Sequence, residues 1–184
     1  MGKVKMDISM LMICVSVDRY LRRGGRLGFV VTQALLKTSG AGQRFRRFVL
    51  PDNTPFAPFV VEDMVNPKPF EGAANRTAVA VFIKGRPVRY PVSYAYWKKQ
   101  GVGPGSAVGF DTPYESVTKD KITYNDWQAE PVDRGDLTSA WITAKPKALR
   151  AIRKVAGASG YAAHAGCSTG GSNGCSGLSS SDLP

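Results

Sequence analysis

The segment from Asp7 to Thr32 constrains the fold most strongly, because it predicts a helix that ends at a glycine pair just before an apolar strand. Asp7 is a favourable N-cap, since its carboxylate can accept hydrogen bonds from the free N–H groups of a first helical turn. Cations suit the carbonyl end of a helix, and glycine adopts the left-handed turn, so Arg22-Arg23-Gly24-Gly25 predicts the helix end. The apolar residues at helical spacing are Ile8, Leu11, Met12, Val15 and Leu21.

The strand predicted next, Arg26–Thr32, shows no polar alternation. That pattern favours burial on both faces, as in a parallel α/β sheet. A parallel strand needs a hydrogen-bonded neighbour, and the residues before Asp7 are too few to provide one. We therefore expect an incomplete α/β domain whose neighbouring strand is absent from this chain.

The rest of the chain predicts shorter elements and much loop. After Val88 the periodicity weakens, and we expect extended segments with few helices. The Gly/Ser-rich segment from Gly157 onward has no core of its own. The other predicted elements are a helix over Gln43–Leu50 that Pro51 ends, strands at Ala57–Met64 and Thr77–Lys84, and a basic helix over Lys145–Val155 with Leu149, Ile152 and Val155 inside.

Charge and cysteine content limit the classes of function. The 25 Lys and Arg residues against 14 Asp and Glu give a net charge of +11, which suits a polyanionic partner or simply a soluble basic surface. The three cysteines form no CxxC pair, so we expect reduced thiols, no metal site and a cytoplasmic protein. Charged residues interrupt the apolar run at Met10–Val17, which is too short to span a bilayer and lacks a signal-peptide cleavage site.

Catalytic signatures are sparse. No glycine-rich loop joins a strand to a helix with an acidic residue beyond it, so a complete nucleotide-binding fingerprint is absent. The single histidine, His164, has no cysteine or carboxylate cluster nearby in sequence and is interpreted as a surface or packing residue. Composition and motif spacing alone therefore identify no catalytic residue.

Several short motifs nevertheless occur in a fixed order. They are Asp7, Leu21-Arg22-Arg23-Gly24-Gly25-Arg26-Leu27-Gly28-Phe29, Leu35-Leu36, the Arg-rich Gln43–Phe48, Phe70 with Gly72, and Thr77–Phe82. In this order they resemble the second half of the catalytic domain of adenine-specific DNA methyltransferases, the S-adenosylmethionine-dependent enzymes of restriction-modification and phage-defence systems. Tyr161–Gly166 and Thr169–Gly174 resemble a stretch beyond the catalytic half of large single-chain members, with His164 where arginine is usual.

The resemblance implies a fold and a domain division. Residues 1–89 would be the C-terminal half of a Rossmann-like methyltransferase domain. Residues 90–184 would begin an irregular, mostly β target-recognition region. In the family's sheet Thr77–Lys84 would run antiparallel beside Arg26–Thr32, with Ala57–Met64 at the edge.

The implied reaction is methyl transfer from S-adenosylmethionine to the exocyclic amine of adenine in DNA. The family's cofactor loop, acidic ribose ligand and Asn/Asp-Pro-Pro-Tyr segment do not occur in the 184 residues. We therefore expect a fragment that is inactive alone, with no catalytic or cofactor-binding residue, and with DNA and a missing N-terminal half or split chain as partners. The alternative is a non-catalytic DNA-binding or interaction remnant.

By resemblance, Phe70 would stack on the flipped adenine, although a loop phenylalanine packed on the sheet edge explains it equally well. Tyr161 and Asn173 would belong to the recognition region, and a turn also accounts for Asn173. Basic side chains either contact DNA phosphates or form solvated helix faces. These are Arg150, Arg153 and Lys154, with Lys145 and Lys147 on the same helix, and Arg44, Arg46 and Arg47.

Overall fold

The strands of the protein form one mixed sheet. A computed structural model describes residues 8–40, 42–67, 76–101, 108 and 111–157. The strands are β1 (Arg26–Thr32), β2 (Phe56–Asp63), β3 (Thr77–Lys84), β4 (Val92–Lys99), β5 (Ile122–Pro131) and β6 (Trp141–Ala144). They lie in the order β1-β3-β2-β4-β5-β6, and every pairing is antiparallel except that of β2 with β4. The chain is a mixed α/β protein with a mostly antiparallel sheet.

The helices are short apart from the first and the last. They are α1 (Ile8–Tyr20), α2 (Ala34–Lys37), α3 (Tyr114–Ser116), which continues into a π-helical turn at Val117–Lys121, and α4 (Pro146–Val155). α4 begins with proline, as predicted, although its Val155 is exposed rather than inside. The helix predicted over 43–50 is wrong. Only a 3₁₀ turn forms at Phe45–Arg47, because Phe48 adopts a left-handed backbone (φ 51°) and ends it.

The glycine pair between α1 and β1 performs the predicted helix stop. Gly24 has φ +80°, and its N–H donates to the carbonyl of Lys84 at 2.8 Å. A Cβ on Gly25 would lie 2.8 Å from the carbonyl oxygen of Arg22. The first glycine is needed for its backbone angle and the second for a close approach, so together they direct the chain from α1 into β1.

The predicted neighbours of β3 are confirmed in part. β3 runs antiparallel to β1 and also to β2, so it lies between two strands that point the same way. The expectation that β2 forms the edge is wrong, because β4 pairs with it in parallel from Val60 to Asp63. The predicted division at residue 89 falls between β3 and β4, and strands from both sides belong to this one sheet.

β1 is the end strand, and it is not buried on both faces as its composition predicted. Exposure alternates along it, with Val30 51% exposed and Val31 buried. Within the described ranges no strand pairs with its outer edge and no helix covers the face that carries Val30. In the part of the chain that the structure describes, the outer edge of β1 is therefore unpaired.

The core lies on the opposite face of the sheet. Four phenylalanines, Phe45, Phe48, Phe56 and Phe82, pack there in five edge-to-face pairs with ring centroids 5.6–5.9 Å apart. Such pairs contribute roughly 0.5–1.5 kcal/mol each beyond the burial of their surface. α1 and α2 close the same face through Met10, Ile13, Val17, Leu35 and Leu36.

α1 buries a different side from the one that its sequence indicated. Met10, Ile13 and Val17 face the core. The predicted apolar positions Ile8, Leu11, Met12 and Val15 are instead 73%, 57%, 50% and 43% exposed, and we call them the α1 stripe. Because a helix that is apolar on opposite sides is normally covered on both, the α1 stripe is a surface that a partner can bury.

Arg46 is buried, whereas the sequence predicted a phosphate contact or a solvated face. Its Nε donates to the carbonyl of Thr138 at 2.7 Å, and its Nη1 donates to the carbonyl of Leu35 at 2.8 Å. A Cβ on Gly42 would overlap that Leu35 oxygen, so the glycine leaves room for the guanidinium. Arg46 thus ties the segment after β1 to the loop before β6.

Candidate functional site

A buried carboxylate joins the carboxyl ends of β1 and β2. Asp63 is fully buried, and its Oδ2 accepts hydrogen bonds from Gln33 Nε2 at 2.6 Å and from the hydroxyl of Tyr94. Its Oδ1 accepts from the N–H of Val65 at 3.0 Å. Lys37 Nζ lies 3.5 Å from Oδ2 and 4.8 Å from the centroid of the Tyr94 ring. We call Gln33, Lys37, Asp63 and Tyr94 the Asp63 cluster.

The environment of this cluster keeps the hydroxyl of Tyr94 protonated. Burial raises the pKa of Tyr94, and the neighbouring Asp63 raises it further, so the hydroxyl remains a donor. Burial lowers the pKa of Lys37, an effect that the attraction of Asp63 opposes. Both oxygens of Asp63 are occupied by donors, so the cluster positions backbone segments and provides no free base.

Asp63 and Gln33 hold the two described ends of the connection between β2 and β3. Asp63 holds its first turn through Val65, and the N–H of Gln33 donates to the carbonyl of Arg76 at 2.7 Å where it ends. Phe70 belongs to this connection and lies outside the described residues. The described ends of the connection, Val65 and Arg76, lie at the carboxyl edge of β1 and β2, and α/β proteins commonly bind ligands at such an edge.

Two other residues predicted from the resemblance, Tyr161 and Asn173, also lie outside the described residues, as does His164.

Cys14 is a free, partly buried thiol, and burial raises its pKa. In the described ranges no group of three or more His, Cys, Asp or Glu side chains could hold a metal ion. No helix in that part of the chain is long and apolar enough to cross a membrane.

The three residues of the last helix that were predicted to contact the DNA backbone occupy different environments. Arg150 and Lys154 are exposed on α4. The side chain of Arg153 is only 16% exposed, and its Nε donates to the carboxylate of the buried Glu130. Its two other nitrogens donate to the carbonyls of Pro131 and Val132. We therefore assign Arg153 to holding α4 on the sheet.

A cleft of about 380 Å³ lies between α4 and β5, and we call it the α4 cleft. Arg134 lines it together with Arg150, Arg153 and Lys154. Arg134 Nη2 donates to Glu130 at 3.2 Å, but its side chain is 69% exposed. Sequence analysis missed Arg134 because it lies in a loop that only the fold brings beside α4.

Comparison with known proteins adds no assignment to this geometry. No protein-family model and no curated protein matches the chain. A functional assignment therefore depends on the sequence motifs and on the arrangement of the described residues.

Proposed function

We propose that the chain is the C-terminal part of the catalytic domain of an adenine-specific DNA methyltransferase, with the start of its target-recognition region. The supporting observation is the agreement between motif order and strand arrangement. The resemblance requires an antiparallel strand beside Arg26–Thr32, and β3 takes that place between the parallel strands β1 and β2. The intact enzyme would transfer a methyl group from S-adenosylmethionine to the exocyclic amine of adenine.

Among the described residues we infer no site for S-adenosylmethionine. The carboxylate at the strand ends, Asp63, is fully buried and has donors on both oxygens, so it is not an accessible acceptor for ribose hydroxyls. The family's cofactor loop and Pro-Pro segment do not occur in the sequence. A separate segment must therefore supply both, and the unpaired edge of β1 is the place where its strand would join the sheet.

The roles left to this chain concern DNA. Phe70 would stack on the flipped adenine, because an aromatic face replaces the base stacking that flipping removes. Arg150 and Lys154 would contact the phosphate backbone from the α4 cleft, with Arg134 beside them. Tyr161 and Asn173 would belong to target recognition.

DNA binding should therefore weaken steeply with salt, because condensed counterions are released from the phosphates that the protein neutralises. The double variant Arg150→Gln/Lys154→Gln should reduce the salt slope for a labelled duplex by up to about 1.8 units, or about 0.9 per phosphate contact. Phe70→Ala should leave the slope unchanged, since a stacking residue acts only on a flipped base. Anisotropy titrations between low and physiological salt measure these slopes.

The matched control is Lys98→Gln/Lys119→Gln, which removes the same charge from two exposed lysines outside the α4 cleft. An equal change of slope in both double variants would assign binding to net charge and contradict a contact surface on α4. A second candidate function, a DNA-binding remnant without catalysis, is favoured because the family's cofactor loop and Pro-Pro segment do not occur in the 184 residues. It predicts the same slopes and no methyl transfer with any partner.

A further inference from the structure

A bulge in β2 turns an aromatic side chain out of the sheet. Pro58 pairs with Phe82 and Val60 with Val81, so Phe59 has no partner on β3. Its surface is 48% exposed. The guanidinium carbon of Arg26 lies 5.1 Å from the ring centroid, within the range of a cation–π contact. Bulges of this kind re-aim side chains, and the contact with Arg26 fixes the ring on one side.

Phe59 lines a cleft of about 470 Å³, which we call the Phe59 cleft. The floor includes the buried apolar residues Ala57, Ile83 and Val92. Arg86 and Arg89 stand at its rim, both exposed. In the part of the chain that the structure describes, neither arginine forms an ion pair, and no carboxylate lines the cleft. An apolar floor, an exposed ring and a cationic rim thus occur together.

The Phe59 cleft adjoins the α4 cleft. Pro91 lines both of them, so the two clefts, each with arginines in its lining, meet at this residue. The one carboxylate in the described lining of the two clefts, Glu130, is paired with Arg134 and Arg153, so a polyanion bound along α4 can reach Arg89 and Arg86 without meeting an unpaired carboxylate of that lining. This continuity favours an extended polyanionic ligand over an isolated small anion.

We propose that the Phe59 cleft binds an unpaired nucleotide of a nucleic-acid strand. The base stacks on Phe59 above the apolar floor, and Arg86 and Arg89 bind the adjacent phosphates. Stacking on an aromatic side chain accepts any base, and basic side chains follow the backbone, which is the usual arrangement for single-stranded nucleic acid. The inference extends the DNA surface of the proposed function, but it depends on Phe59 and not on Phe70 or on methyl transfer.

The test compares two fluorescein-labelled 12-mers, an oligothymidine and an abasic strand with the same number of phosphates. Phe59→Leu should weaken binding of the oligothymidine about 5- to 150-fold, the range for one stacked base, and leave binding of the abasic strand unaffected. Phe59→Tyr should keep the wild-type affinity, because it keeps the ring. Arg86→Gln/Arg89→Gln should weaken the binding of both oligonucleotides and reduce the salt slope by up to about 1.4 units.

Tyr20→Leu is the matched control, since it removes an 83% exposed aromatic side chain from α1 and should change neither affinity. Thermal unfolding of each variant checks that the fold is kept, and the tyrosine variant tests the ring if Phe59→Leu unfolds. An equal effect of Phe59→Leu on both strands, or none on either, would overturn the inference. The α4 variants test the proposed DNA surface separately, so the nucleotide site of the Phe59 cleft and the DNA surface on α4 can each be contradicted without the other.

Discussion

Replacing Asp63 by alanine should lower the free energy of unfolding by about 3–5 kcal/mol, the usual cost of removing one partner of a buried ion pair. The substitution leaves Lys37, Gln33 and the hydroxyl of Tyr94 without their shared acceptor. It also releases the N–H of Val65, so the first turn of the connection to β3 loses its anchor. Urea unfolding followed by circular dichroism measures the change.

Two further variants test whether the loss of stability comes from the burial of the carboxylate and from its pairing with Lys37. Asp126→Ala removes an exposed carboxylate from β5 and should cost less than about 0.5 kcal/mol. Lys37→Met in the Asp63→Ala background removes the unpaired cation and should recover part of the loss. A loss below about 1 kcal/mol for Asp63→Ala would contradict the role that we assign to the Asp63 cluster.

Self-association of the isolated chain is the second large effect that we expect. The α1 stripe exposes apolar side chains, and in the described ranges no strand pairs with the outer edge of β1; surfaces of both kinds recruit other chains. Leu11→Lys/Val15→Lys removes two side chains worth about 1.5–3 kcal/mol each when buried. The concentration for half association should therefore rise at least about 100-fold. Sedimentation velocity over a range of protein concentrations measures it.

Val132→Lys/Val155→Lys is the matched control, because it adds the same charge at two exposed valines outside the α1 stripe. The control should associate like the wild type. A wild-type chain that stays monomeric at every concentration would contradict the interpretation of the stripe and edge as uncovered surfaces. Equal shifts in both double variants would assign the effect to charge repulsion.

β1 and β3 were predicted with the same bounds that the structure shows. Both are apolar runs that glycine or proline delimits, so local chemistry is sufficient to define them. α4 was predictable for the same reason, since a proline marks its start. The burial of β1 was not predictable from its residues, because it depends on what covers the second face of the sheet.

The candidate site was less predictable because its contacts join distant residues. Tyr94 and Asp63 are 31 positions apart, and Arg46 reaches a carbonyl 92 positions away. The polar residues that follow β1 and end β2 were a usable signal for Gln33 and Asp63, since such positions meet at one edge of the sheet. The orientation of α1 had no signal, because its apolar residues lie on opposite sides.

Methyl transfer is the most direct measurement of the proposed function. The chain is tested alone and together with the polypeptide encoded directly upstream of it, with tritiated S-adenosylmethionine and duplex DNA. We predict that label appears on the exocyclic amine of adenine only when both polypeptides are present, because this chain lacks the cofactor loop and the Pro-Pro segment. Transfer by the chain alone, or no transfer by the two folded polypeptides together, would contradict the proposal.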